Sequence, residues 1–156
     1  MADIHVEEFY KDAAIALIQL YSAFPRRVNL FVEDIAGPDE PDEFGLHSKR
    51  HMACFGALLW LAEEGFLRYV DTIRQDALDQ AVLTQEALTR LIAPAPDALV
   101  QGRQRSADTP GAPLPPSLQE DLSTHIHLLR TALKSGHSVR ISHAVQATLF
   151  ANKHDG

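Results

Sequence analysis

Apolar residues recur at three- and four-residue spacing in several separate stretches of the chain, and each such stretch predicts a helix. Between Val6 and Phe24 the stripe Phe9, Ala13, Leu17, Leu20 and Phe24 runs beside a second stripe of Tyr10, Ala14, Ile18 and Tyr21. Two adjacent stripes mean a helix buried on a broad face, wide enough to serve a dimer as well as a core. Pro25 ends it, because proline cannot continue the hydrogen-bond ladder. A second helix opens at Ser48, whose hydroxyl suits an N-cap, and carries Met52, Phe55, Leu58, Leu59 and Ala62 on one side. Gly65 stops it, since glycine takes the left-handed conformation without steric cost. Further along, Ser117 and Glu120 have capping-box spacing. They open a seam of Leu118, Leu122, Ile126, Leu129 and Leu133 that ends before Gly136. Ser138 then caps a last helix with Ile141, Val145 and Leu149 on one face.

Between these helices the pattern changes. Val28–Val32 reads as a short strand or as the lead into a short helix, and Glu33–Ala36 fits a brief helix closed by Gly37. Phe66–Ile73 is rich in aromatic and branched residues and predicts a strand. Arg74–Asp79 is a polar break, Ala81–Leu83 a returning strand, and Thr84 the cap of a helix with Leu88 and Leu91 on one side. From Ala93 to Ser117 the composition shifts: six of the nine prolines lie there, at 94, 96, 110, 113, 115 and 116. That predicts an extended linker with at most a short helical turn at Asp97–Val100. The expected fold is mainly α with a small β-hairpin, followed by a C-terminal helical extension. The expected divisions are residues 1–92, a linker at 93–116, and a helical hairpin at 117–156.

Leu61-Ala62-Glu63-Glu64-Gly65-Phe66-Leu67, a hairpin, and Val82-Leu83-Thr84 leading into a helix resemble the winged helix-turn-helix of MarR- and PadR-type regulators. The resemblance covers roughly Phe9 to Leu91. It implies that the helix after Ser48 is a recognition helix and that the two strands form a wing. It further implies a DNA-binding transcriptional regulator, homodimeric through added helices. On it, Ser48, Lys49, Arg50 and His51 would meet double-stranded DNA at the helix start, where recognition helices place their reading residues, with Arg74 on the wing. The alternative is a non-catalytic module on the same scaffold that binds protein and not DNA. A two-helix hairpin has too little core to stand free, which also points to packing against this domain or a second copy.

Charge complicates the DNA reading. The net charge of −7 argues against indiscriminate binding to phosphates. The segment Gly37–Gly45 is longer than the turn it replaces and holds four carboxylates, Asp39, Glu40, Asp42 and Glu43, just ahead of the cationic helix start. Either it swings away from DNA, or the recognition surface no longer binds DNA. The helix-start cations either contact DNA or simply pair with the loop. Asp71, Asp76 and Asp79 interrupt Arg68 and Arg74 on the wing, which weakens a minor-groove contact there.

Candidate chemistry is sparse. His47 and His51 stand four apart on a helix, a spacing that can place two imidazoles on one metal. No Cys or carboxylate follows at zinc-motif spacing, and Lys49 and Arg50 would repel a cation, so no metal or cofactor is expected. The single cysteine, Cys54, sits in an apolar helix and is expected to be a small buried hydrophobe. His125 and His127 diverge on a helix. There is no Gly-rich phosphate loop and no nucleophile elbow, so no enzyme is expected. With an acidic N-terminus and no apolar run long enough to span a bilayer, the expected setting is the cytoplasm, away from membranes.

Overall fold

The computed structural model describes residues 3–96 and 123–150. The described residues are mainly helical, with a small antiparallel sheet. The elements run α1 (Ile4–Ala23), β1 (Val28–Phe31), α2 (Glu33–Ala36), α3 (Lys49–Glu63), β2 (Leu67–Arg68), β3 (Asp71–Ile73), β4 (Ala77–Leu83), α4 (Gln85–Ile92), α5 (His125–Ser135) and α6 (Ser138–Leu149). They divide into two compact units, Met1–Leu88 and Thr89–Gly156.

In the first unit, α1 lays Ala13, Ala14, Ala16, Leu17 and Leu20 into the core and packs on α3. The small alanines let the helices approach, and Phe9 meets Trp60 edge-on with centroids 5.1 Å apart. Phe24, the end of the predicted stripe, is partly exposed because the helix stops at Ala23. The α3 helix buries Cys54, Phe55, Ala57, Leu58 and Leu61. Each such leucine, fully removed from water, contributes about 1.5–3 kcal/mol. Its ends are as the sequence predicts: the Ser48 hydroxyl accepts from the His51 N–H, and Gly65 takes φ +84°.

The sheet is built on β4, which pairs with β1 along one edge and with β2 and then β3 along the other. The predicted first ribbon strand is therefore two short pieces, interrupted at Tyr69–Val70. The returning strand is longer than Ala81–Leu83, because Ala77, Leu78 and Asp79 also pair, and the polar break shrinks to Arg74–Asp76. Pairing on both sides buries Ala77 and Leu78 and overrides the local polarity of Asp79 and Gln80. Gln80 takes φ +53°, its N–H meets the Asn29 Oδ1 at 3.2 Å, and the β1–β4 register shifts between Val28 and Leu30. At the β3–β4 turn, Arg74 takes φ +52°. Thr84 caps α4 through the Ala87 N–H and donates its hydroxyl proton to the Gly65 carbonyl at 2.6 Å, so the cap also ties down the end of α3.

In the second unit, α5 and α6 pack on one another across the connection at Gly136, which takes φ +70°. Thr124 caps α5, and His137, one residue before the predicted Ser138, stands at the start of α6. Ile126, Leu129, Ile141, Val145 and Leu149 are buried, as their spacing predicts. Arg90 donates to the Thr148 and Leu149 carbonyls, a cation at the negative end of a helix. Pro94 bridges to Thr124, and Ala95 donates to the Ser123 carbonyl, so the start of the predicted linker is held in backbone pairing. The rest of that linker, the short turn at Asp97–Val100, the Ser117–Glu120 capping box, Leu118 and Leu122 lie outside the described residues.

Candidate functional site

Three segments of the first unit meet at the start of α3: the acidic loop after α2, the first turn of α3, and the β3–β4 turn. Gly37, at φ +94°, ends α2 and sends the chain into the loop. The loop is folded on itself, with the Asp42 carboxylate accepting from the N–H groups of Phe44 and Leu46, each at 2.9 Å. That leaves Asp39 lying against α3. One Asp39 oxygen accepts from the Ser48 hydroxyl at 2.6 Å and from the Ser48 N–H at 3.3 Å, while the other stands 2.6 Å from His47 Nδ1. Its side chain is 2% exposed. The Ser48 hydroxyl is the chief force holding the Asp39 carboxyl down to about 2, against burial, which works the other way.

His47 and His51 stack face to face, with ring centroids 3.8 Å apart and planes 8° from parallel. His47 lies just ahead of the Ser48 cap and not on the helix the sequence predicted for both, so the fold of the incoming loop, not helical spacing, lays it over His51. His47 Nε2 lies 3.1 Å from an Asp76 carboxylate oxygen. His51 is 2% exposed, and its Nε2 lies 2.8 Å from the Gln75 carbonyl oxygen. A carbonyl can only accept, so Nε2 carries a proton, which makes Nδ1 the acceptor nitrogen of the neutral ring. That Nδ1 has no hydrogen-bond partner and faces Asp39 Oδ2 at 3.7 Å. Donor atoms of Asp39, His47 and His51 all lie within 4.8 Å of one another. A pocket of about 260 Å³ opens beside them, lined by Gly37, Asp39, Glu40, Ser48, Arg50 and His51 among others.

Arg50 turns the opposite way. Its guanidinium grips the buried Asp12 of α1 with two hydrogen bonds, one of them 2.8 Å, and passes Glu8 at 4.0 Å. The Asp12 hydrogen bond raises the guanidinium's already high pKa further. Cys54 lies on the same side of α3; burial, then the Asp12 charge, pushes its thiol up to about 12, so it stays protonated and unreactive.

Of the five residues the resemblance assigned to DNA, Ser48 bonds Asp39, Arg50 bonds Asp12, and His51 is buried against Gln75, while Lys49 and Arg74 are exposed. Of the two loop arrangements the sequence left open, the structure has the loop lying on the helix start. The upstream Asp39 joins the two histidines, a carboxylate missed when ligands were sought downstream. The charge expected to repel a cation is reduced, because Asp12 neutralises Arg50. Comparison with protein-family models, with curated proteins and with solved structures returned no match.

Proposed function

We propose that Met1–Leu88 is a winged helix-turn-helix module of MarR- or PadR-like build that works by binding a protein partner, without reading DNA sequence and without catalysis. The element order and the strand order β1-β4-β2 support the winged-helix assignment, with α2 and α3 as the helix pair and β3–β4 as the wing. One observation carries the preference for protein over DNA. The two side chains best placed to read a groove, Arg50 and His51, are held inside the chain by Asp12 and by the Gln75 carbonyl. The surface left over is acidic and partly apolar: Phe44 and Leu46, 79% and 64% exposed, stand among Glu40, Asp42 and Glu43. Such a loop would be repelled by a phosphate backbone.

DNA-binding regulation is the second reading, favoured by the exposure of Lys49 and Arg74. The two are separated by fluorescence anisotropy on mixed double-stranded fragments at low and at physiological salt. The protein-binding reading expects no DNA binding at either salt. Salt-sensitive binding that disappears in Lys49→Glu with Arg74→Glu overturns it. A homodimer through the C-terminal helices and a cytoplasmic setting belong to the same proposal, and sedimentation of the full chain tests the first. Among the described residues, no helix is long and apolar enough to cross a membrane.

A further inference from the structure

We propose that Asp39, His47 and His51 bind a divalent first-row transition metal ion of the imidazole-seeking kind: zinc, cobalt or nickel. Two imidazoles and one carboxylate are a donor set for these ions, whereas magnesium and calcium favour oxygen alone. The site does not rest on the cluster by itself. His51 Nδ1 is a buried ring nitrogen with no hydrogen-bond partner, and it faces Asp39 at 3.7 Å, beyond hydrogen-bond reach. Core packing gives no reason to bury an imidazole in that state, since an unmet polar atom away from water is unfavourable.

Each ligand also has the support that metal-bound residues require. The Gln75 carbonyl fixes the His51 tautomer, Asp76 faces the far nitrogen of His47, and the Ser48 hydroxyl orients the Asp39 carboxylate. Backing of this kind sets ring orientation and raises ligand basicity. Metal–nitrogen and metal–oxygen bonds of about 2.0–2.2 Å put donors around a tetrahedral ion roughly 3.4 Å apart. His51 Nδ1 and Asp39 Oδ2 are already 3.7 Å apart. His47 Nδ1, at 2.6 Å from Asp39 Oδ2, must move outward by about 0.8 Å and its ring must turn out of the stack on His51, a change open to a side chain that is 20% exposed. The ion takes the place of the proton between His47 and Asp39, and the proton leaves to solvent. The adjoining pocket, lined by Asp39 and His51, leaves space for a further ligand such as water. The inference holds whichever macromolecule the module meets.

The test is titration of the chelator-treated full chain with cobalt(II), read by its visible d–d absorption, with zinc as competitor and calorimetry for stoichiometry. One ion per chain is expected, with a tetrahedral cobalt band. Asp39→Asn, His47→Ala and His51→Ala should each abolish that band. Ser48→Ala, which removes an outer partner together with the α3 cap, should weaken binding by roughly 10–100-fold in a chain that circular dichroism shows folded. The chain has eight histidines. Binding that survives His47→Ala therefore belongs to other histidines and overturns the proposal, as does the absence of any band. Should circular dichroism show His51→Ala unfolded, the less buried His47→Ala decides alone.

Discussion

Replacing Arg50 by methionine separates a structural cation from a DNA-reading one. Asp12 is 1% exposed and loses its bidentate partner in this variant. Breaking a fully buried ion pair from one side destabilises by about 3–5 kcal/mol, because the remaining charge is stranded. Arg50 is itself 32% exposed, so water reaches its end of the pair and can partly solvate what is left. A loss of about 2–3 kcal/mol is expected after that discount. For a unit of this size that corresponds to a fall in Tm of roughly 8–24 °C. Urea unfolding followed by circular dichroism measures it. The double variant Asp12→Leu with Arg50→Met removes both charges and should return to within about 1 kcal/mol of the parent, since a buried pair is often replaceable by apolar volume. A single Arg50→Met loss below about 0.5 kcal/mol, the range of solvated surface pairs, would refute the reasoning and return Arg50 to the exposed cations.

Three further outcomes are expected. Leu58→Ala, at a fully buried position on α3, should destabilise by about 2–5 kcal/mol in the same urea experiment. Gly65→Ala should cost about 1–2 kcal/mol through its φ of +84° alone, because an added Cβ there meets nothing within 4 Å; a neutral result would mean the backbone relaxes freely. Cys54 should resist alkylation until the unit unfolds, with labelling rates tracking stability. Its ordinary pKa of 9.0 is raised to about 12 in the fold, so above pH 9 only the unfolded chain releases the proton. The stability of the parent relative to Cys54→Ala should thus fall as pH rises from 9 towards 12, and a flat difference would argue that the thiol is solvated.

What the chain displays locally is what was legible in it. The Ser48 cap, the Gly65 and Gly136 stops, the short α2 and the buried faces of α1, α3 and α6 each depend on residues within a turn or two of one another. The length of β4 was not legible. Ala77-Leu78-Asp79-Gln80 breaks alternation, and pairing on both flanks, with β3 and with β1 about fifty residues earlier, makes it a strand. The site is hidden for the same reason. The histidine spacing is plain, but Asp39 arrives through a loop that folds back, and Gln75 and Asp76 arrive from the β3–β4 turn. The Asp12–Arg50 pair spans 38 positions and leaves no pattern at all.

The sheet bears on how this protein can associate. Its best-formed strand has both flanks occupied, and what remains at the rims is a four-residue ribbon with a register slip and two fragments parted by Tyr69 and Val70. A visiting chain that tried to extend such a rim would find few consecutive main-chain groups to join. Assembly by ribbon addition is thereby disfavoured, so specificity in any complex of this unit must come from the shape and charge of side chains.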